Sequence, residues 1–134
     1  VMILGVSCVW TTEKGYRDFL KLADRLDERF AVVLVGLTKK QMETLPKNVI
    51  GVERTNSKEE LADIYSSADL FVNLTHSDNF PTVNLEARAC GVPILTYNSG
   101  GSPESAGEEA EVVPTGDLDA VFELIQKRFS DFQE

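Results

Sequence analysis

Residues 70–96, LFVNLTHSDNFPTVNLEARACGVPILT, contain the pattern of a strand, a helix and a second strand in succession. The runs 70–74 and 93–96 are short and almost wholly apolar, which is typical of parallel strands buried on both faces. Between them, Pro81 suits a first helical turn because its φ is fixed and it lacks an N–H. Gly91 suits the end of that helix. The stretch therefore predicts one crossover unit of a parallel sheet.

The same alternation continues along the whole chain. Four further apolar runs share the strand character: 2–9, 30–35, 48–52 and 111–113. Helix start signals stand between the strands: Thr12, the capping-box pairs Thr38 with Gln41 and Ser57 with Glu60, the loop 100–103, and a helical pattern over 117–129. Strand–helix alternation predicts right-handed crossovers and an α/β fold. We expect a single Rossmann-like domain over 1–134, with a doubly wound parallel sheet of about six strands.

Composition and charge exclude several classes of protein. The 134 residues carry 13 Lys and Arg against 22 Asp and Glu, a net charge of −9. Residues 55–134 hold 4 basic and 15 acidic side chains, which argues against nucleic acid or an anionic membrane as a partner. No apolar run approaches the roughly 18–20 residues that cross a bilayer. Cys8 and Cys90 are predicted to be small buried hydrophobes in a reducing compartment.

Ligands of doubly wound sheets bind beyond the carboxyl ends of the strands, so the residues there are the candidate site. Lys14 follows the first strand and is either a solvated surface lysine or an anion-binding lysine aimed across the sheet edge. Asp78 and Glu86 follow the fourth strand and are spaced to face one cavity from different heights. The backbone N–H groups of Thr82 and Val83 would point toward an anion in that cavity.

Three further features near these loops favour a ligand. Leu85 and Ala87 flank Glu86, which predicts a buried helix and therefore a hydrogen-bonding partner for this carboxylate, such as a pair of ligand hydroxyls. Gly100 and Gly101 would allow a ligand to approach the backbone closely. His76 either contacts the ligand or packs beneath its own loop.

Six blocks of sequence together resemble a known family. They are Lys14-Gly15, Leu34-Val35-Gly36, and the segments 61–69, 78–93, 100–104 and 116–117. In this order and spacing they resemble the carboxy-terminal, nucleotide-sugar-binding domain of retaining glycosyltransferases of the GT-B fold, family 4. The resemblance covers essentially the whole chain. Asp78 stands where the family commonly has a glutamate. Residues 1–13 contain no Arg, whereas the family commonly has one a few residues before the lysine that contacts the diphosphate.

The resemblance implies how the diphosphate and the ribose of a donor such as a UDP- or GDP-sugar would be held. Lys14 would neutralise the departing diphosphate, together with the backbone amides of Thr82 and Val83. Glu86 would accept hydrogen bonds from the two ribose hydroxyls. A lysine and a helix N-terminus stabilise leaving-group charge without a metal, so we expect no metal site and no cofactor.

The resemblance also implies contacts for the sugar and the base. Asp78, with the backbone of Asn79 and Phe80, would hold the donor sugar. The loop of Arg54, Thr55 and Asn56 would border the base, and Leu61 would offer it an apolar face. We therefore expect Lys14, Asp78 and Glu86 to carry the catalytic roles.

The resulting hypothesis is the donor-binding half of a glycosyltransferase that serves polysaccharide or glycoconjugate synthesis. The acceptor domain would precede this chain, which we expect to be inactive alone and cytoplasmic, with any inner-membrane attachment made through that other domain. Two alternatives stay open: a degenerate, non-catalytic nucleotide-sugar binder, and a GT-B-type nucleotide-sugar epimerase, which needs acidic and histidine residues at other loops. The sequence argues against a receiver-type module. Such a module needs an acidic pair after its first strand, and residues 7–10 of this chain are Ser-Cys-Val-Trp.

Overall fold

The computed structural model describes residues 1–130, in which strands and helices alternate throughout. The strands are β1 (Met2–Val6), β2 (Ala31–Val35), β3 (Val49–Val52), β4 (Leu70–Asn73), β5 (Ile94–Tyr97) and β6 (Glu111–Val113). The helices are α1 (Tyr16–Arg25), α2 (Lys39–Met42), α3 (Lys58–Ser67), α4 (Thr82–Ala89), α5 (Ser102–Ala106) and α6 (Leu118–Arg128). Every strand pairing is parallel, in the order β3-β2-β1-β4-β5-β6. The predicted α/β, doubly wound, Rossmann-like sheet is confirmed.

The sheet is buried on both faces, as the continuous apolar strands predicted. Neighbouring residues of β1 point to opposite sides, so Ile3 belongs to one hydrophobic cluster and Leu4 to the other. The first cluster contains buried residues of α1 and α6, and the second contains buried residues of α3, α4 and α5. The helices therefore form a layer on each side of the sheet.

The direction of the chain across the sheet reverses at β1. This strand pairs with β2 on one side and with β4 on the other. Successive crossovers therefore run away from β1 in both directions, which leaves a crevice beyond the carboxyl ends of β1 and β4. Whatever the loops after these two strands carry is brought to that crevice.

The region after β1 differs from the prediction. The strand ends at Val6, because the Ser7 hydroxyl donates to the carbonyl of Val9 at 2.8 Å and the chain turns locally. Cys8 is therefore exposed, which makes the prediction of a buried thiol wrong for this residue. Helix α1 begins at Tyr16, so the predicted cap at Thr12 is also wrong and Thr12 lies in the preceding turn.

The other helix starts agree with the sequence signals to within a residue. Thr38 and Gln41 form the reciprocal capping box. Ser57 accepts a hydrogen bond from the Glu60 amide, but the Glu60 carboxylate accepts from Asn56, so only half of that box is present. Pro81 directly precedes the first residue of α4.

The helices are short and lie against the sheet by one face. The length of α6 is 11 residues, and those of α1 and α3 are 10 residues each. A helix needs about 20 apolar residues to span a bilayer. Within residues 1–130 no helix combines the length and the apolar character that a membrane span requires.

Candidate functional site

A cavity of about 270 Å³ opens beyond the carboxyl ends of β1 and β4, where the sheet reverses direction. Four of the residues predicted from the sequence line it: Lys14, Asp78, Thr82 and Val83. They come from the loop after β1 and from the loop after β4 with the start of α4. Residues far apart in sequence are thus brought to the position where doubly wound folds bind ligands.

Lys14 and Asp78 form an ion pair across this cavity. The Nζ atom of Lys14 lies 3.0 Å from Oδ2 of Asp78. The two side chains are 37% and 25% exposed, so water still reaches the pair. Pairs with this degree of exposure contribute about 0.2–1 kcal/mol, and a multiply charged anion can therefore displace the carboxylate from the lysine.

Packing beneath the Lys14 loop fixes its position. The buried Trp10 ring donates from its indole N–H to the carbonyl of Val35 at 2.9 Å. Gly15 has φ 91°, and a Cβ at this position would overlap the carbonyl oxygen of Leu74. The turn that carries Lys14 therefore lies directly against the end of β4, in a conformation that glycine permits.

Packing also fixes the loop that carries Asp78. Its Oδ1 accepts a hydrogen bond from the Phe80 amide at 3.2 Å, and its carbonyl accepts one from the Gly101 amide at 3.1 Å. A Cβ on Gly100 or Gly101 would overlap the backbone of Asp78 or Asn79. The two glycines were expected to admit a ligand, but in this structure they admit the neighbouring loop.

The start of α4 presents free backbone donors to the cavity. Thr82 and Val83 are the first two residues of this helix, and Asn84 is the first whose amide bonds back, to the carbonyl of Pro81 at 3.3 Å. The amides of Thr82 and Val83 donate to no acceptor within residues 1–130. The positive end of the helix dipole lies at the same place, so this corner of the cavity favours an anion.

A buried polar cluster lies beneath α4 and was not predicted from the sequence. Asn84 is fully buried, and its amide nitrogen lies 3.0 Å from the hydroxyls of Ser102 and Ser105. Its Oδ1 accepts a hydrogen bond from the Asn73 side chain at 3.1 Å. These bonds connect the beginning of α4 to α5 and to the end of β4. A polar residue three positions before the buried Ala87 was the available signal.

Glu86 differs most from its prediction. The residue is exposed, and so is Leu85, because the buried face of α4 consists of Asn84 and Ala87. Glu86 does not line the 270 Å³ cavity. Its carboxylate has a protein partner, since the hydroxyl of Tyr65 donates to Oε1 at 2.8 Å. Sequence reasoning assigned this partner to a ligand alone.

The remaining predicted residues lie around the crevice rather than in the cavity wall. Asn79 and Phe80 are exposed on the Asp78 loop, and the Phe80 ring is 44% exposed. Arg54 and Thr55 lie between β3 and α3, with the Arg54 side chain exposed. Leu61 is partly buried in α3. Their roles toward sugar and base stay predictions.

The His76 side chain has protein partners in α1 and β5. Its Nε2 lies 2.7 Å from Oδ2 of Asp18, and its ring meets Tyr97 edge-on at 5.3 Å. The Tyr97 hydroxyl donates to the same carboxylate oxygen at 2.7 Å. Burial, with the hydrogen bond to Asp18, raises the pKa of Tyr97 above its ordinary value. The His76 side chain is thus held by residues of α1 and β5, and it does not line the 270 Å³ cavity.

A larger concave region of about 1120 Å³ lies at the other end of the strands, near the amino ends of β5 and β6. It is lined by residues that precede β5 and β6, such as Pro93 and Ala110, and by Arg88 and Arg128. Arg128 is paired with Glu111 at 3.1 Å. Because ligands of this fold bind at the carboxyl ends of the strands, the smaller cavity is the candidate site. Neither region contains a cluster of three His, Cys, Asp or Glu residues suited to a metal ion among residues 1–130.

Comparison with known proteins adds to this geometry. The family model for glycosyl transferases group 1 matches residues 4–133. The capsular polysaccharide biosynthesis glycosyltransferase CapM of Staphylococcus aureus is 36% identical over 69 residues, which make up 50% of this chain and 18% of CapM.

Two solved structures share the fold. HepE of Anabaena, in complex with UDP-glucose, has a TM-score of 0.78 at 17% identity, over 98% of this chain and 40% of HepE. The C-terminal domain of the group 1 glycosyl transferase LpcC of Francisella tularensis has a TM-score of 0.77 at 17% identity, over 98% of this chain and 77% of that domain. The chain thus spans a minor part of the length of CapM and of HepE.

Proposed function

Because this chain belongs to the glycosyl transferases group 1 family, we propose that its crevice binds the diphosphate of a nucleotide-sugar donor. The observation that carries the proposal is that Lys14 and the free amides of Thr82 and Val83 line one cavity at the sheet reversal. The complex of HepE with UDP-glucose supports it, since a protein of the same fold binds such a donor.

The proposed chemistry is stabilisation of a leaving group. When the glycosidic bond to the diphosphate breaks, negative charge develops on the phosphate oxygens. Lys14 supplies a positive charge, and the two amides at the start of α4 supply aligned dipoles. Packing fixes the loop of Lys14 and the start of α4 before the ligand arrives, so little reorganisation of the backbone accompanies the reaction. We propose that this charge stabilisation proceeds without a metal ion.

The ion pair gives Asp78 two successive roles in this proposal. In the free protein its Oδ2 accepts the hydrogen bond of Lys14. A diphosphate carries more charge than one carboxylate and would take over the lysine. The Asp78 carboxylate is then free to accept hydrogen bonds from the hydroxyls of the donor sugar. Glu86, on the outer face of α4, would accept those of the ribose.

The whole protein would transfer the sugar from this donor to an acceptor. We propose a role in polysaccharide or glycoconjugate synthesis, which the similarity to the capsular enzyme CapM supports. The acceptor would bind to a part of the protein outside this chain. On this proposal the 134 residues bind donor but do not transfer sugar by themselves.

The proposal is tested by calorimetric titration of this chain with UDP, GDP and ADP. We expect one of the three to bind with a stoichiometry of one, and Glu86→Ala to weaken that binding about tenfold through loss of charge-assisted hydrogen bonds. Glu123→Ala, an exposed glutamate of α6, is the matched control and should bind as the wild type does. Absence of binding to all three nucleotides would overturn the proposal.

A non-catalytic nucleotide-sugar binder is the second candidate. It is favoured by Asp78 in the place of a longer glutamate and by the absence of an Arg among residues 1–13. Both candidates bind the nucleotide, so binding does not separate them. Release of free sugar from UDP-glucose or GDP-mannose by the longest protein that contains this chain separates them: a transferase releases it in a Lys14-dependent way, and a binder does not.

A further inference from the structure

The contact between Tyr65 and Glu86 connects the core to the outer face of α4. The Tyr65 side chain is 1% exposed and packs on Phe71 with ring centroids 5.5 Å apart. Its hydroxyl lies 2.8 Å from Oε1 of Glu86 and 3.3 Å from the Val83 carbonyl, so the shorter bond goes to the carboxylate. A fixed group in the core thus holds a side chain that is otherwise in solvent.

The hydroxyl is a permanent donor. Burial raises the pKa of Tyr65 well above its ordinary value, and the hydrogen bond to Glu86 raises it further. The phenol therefore keeps its proton at any physiological pH. A carboxylate offers about four acceptor positions, and Tyr65 takes one of them on Oε1. The other oxygen of Glu86 accepts no hydrogen bond within residues 1–130.

We propose that Tyr65 is a positioning residue, which orients the Glu86 carboxylate for the two adjacent ribose hydroxyls of the donor. This inference rests on the proposed function. An unrestrained glutamate on an exposed helix face samples several rotamers and loses that freedom when it binds a ligand. The bond from Tyr65 imposes the restriction in the free protein, so the ligand meets a carboxylate already in place.

A second buried tyrosine provides the comparison. Tyr97 also donates to a carboxylate, that of Asp18, at 2.7 Å, but it belongs to the cluster on the opposite face of the sheet. There the accepting oxygen is shared with His76 and the Asp18 side chain is 14% exposed. The two tyrosines thus make equivalent hydrogen bonds, but only the carboxylate that Tyr65 contacts, that of Glu86, lies on the outer face of α4.

The test measures discrimination between ribose and deoxyribose. The dissociation constants of UDP, GDP and ADP and of their 2′-deoxy counterparts are measured for the wild type, Tyr65→Phe, Glu86→Ala and the double variant, with Tyr97→Phe as the matched control. For the nucleotide that binds, we expect the wild type to prefer the ribo form about tenfold, since hydrogen bonds to a charged group are the strong ones. Tyr65→Phe should lower this preference about threefold or more, and Glu86→Ala should abolish it.

The outcomes separate the two proposals. If the wild type binds no nucleotide, the proposed function fails, and this inference fails with it. If Glu86→Ala abolishes the preference but Tyr65→Phe and Tyr97→Phe leave it unchanged, only the positioning role of Tyr65 is overturned. In the Glu86→Ala background, Tyr65→Phe should have no further effect on the preference. A purely structural tyrosine would lower the melting temperature without changing the ratio of the two dissociation constants.

Discussion

The Nζ atom of Lys14 lies 3.0 Å from Oδ2 of Asp78, so a lysine from the β1 loop and a carboxylate from the β4 loop neutralise each other in the free crevice. Neither loop alone would reveal this relationship, since 64 positions separate the two residues. A diphosphate that binds here would take over the positive charge of Lys14 and release the carboxylate of Asp78.

Replacing Asp78 with Asn tests whether the ion pair competes with the diphosphate. The variant leaves Lys14 without its carboxylate partner. We therefore expect the affinity for UDP or GDP to stay the same or to rise, by about threefold at most. Binding of the matching nucleotide sugar, measured relative to the diphosphate alone, should weaken. Calorimetric titration with both ligands checks this, and equal losses for both would contradict it.

Replacing Lys14 with Ala removes the positive charge from the cavity. We expect the affinity for the nucleoside diphosphate to fall about tenfold or more, because a hydrogen bond between two charged groups is lost. Lys21→Ala is the matched control, since this residue is exposed on α1. The effect of Lys14→Ala should shrink as salt is added, since salt screens the attraction between the partly exposed Lys14 and the diphosphate. Equal affinities for the two variants would contradict the role of Lys14.

The arrangement of elements could be predicted from the sequence because it depends on periodicity. Short apolar runs alternate with helix-period segments, and this alternation is typical of a parallel sheet covered by helices. The position of the crevice then follows from the fold. Lys14, Asp78, Thr82 and Val83 come together there because all four follow β1 or β4.

The details that could not be predicted depend on contacts between distant segments. Gly100 and Gly101 accommodate the backbone of the Asp78 loop, which no local pattern indicates. Glu86 was expected to be buried because apolar residues flank it, whereas helical geometry turns Asn84 inward instead. Its partner Tyr65 lies 21 positions away, in α3.

Gly15 and Gly91 provide a matched pair for the packing of the Lys14 loop. Both have positive φ, 91° and 75°, but a Cβ on Gly91 would meet nothing within 4 Å. Gly91→Ala should therefore lower the free energy of unfolding by about 1 kcal/mol from backbone strain alone. Gly15→Ala should lower it by about 3 kcal/mol or more, because the carbonyl of Leu74 must also move. Urea denaturation measures both values, and similar losses would contradict the packing described.

The buried cluster around Asn84 should be important for stability. Asn84→Ala leaves the side-chain nitrogen of Asn73 without its acceptor and removes the donor to both serine hydroxyls of α5, which keep only their bonds to Thr96 and to the Ser102 carbonyl. We therefore expect a loss of about 2–4 kcal/mol in the free energy of unfolding. Asn98→Ala is the matched control, because this residue is exposed and its loss should stay within about 0.5 kcal/mol. If both variants unfold at the same urea concentration, the cluster does not stabilise the fold.

The two buried tyrosines predict sensitivity to alkali. Burial and carboxylate partners raise the pKa of Tyr65 and Tyr97 in the folded state, while in the unfolded chain both ionise near pH 10. Above that pH the unfolded state holds fewer protons, so stability declines by roughly 1.4 kcal/mol per pH unit for each tyrosine. Urea denaturation between pH 9 and about pH 11.5 checks this. Tyr65→Phe should make the decline shallower, and an unchanged slope would refute the assignment.

The most direct test of the proposed binding site is an NMR titration of the isotope-labelled chain with UDP, GDP and ADP. Because the two concave regions lie at opposite ends of the strands, the positions of the shifted signals identify which one binds. We predict that the largest changes occur at the backbone amides of Thr82 and Val83 and at the ammonium group of Lys14. Changes centred on Arg88 and Arg128, or no changes with any of the three nucleotides, would contradict the central claim that the crevice beyond β1 and β4 binds the diphosphate.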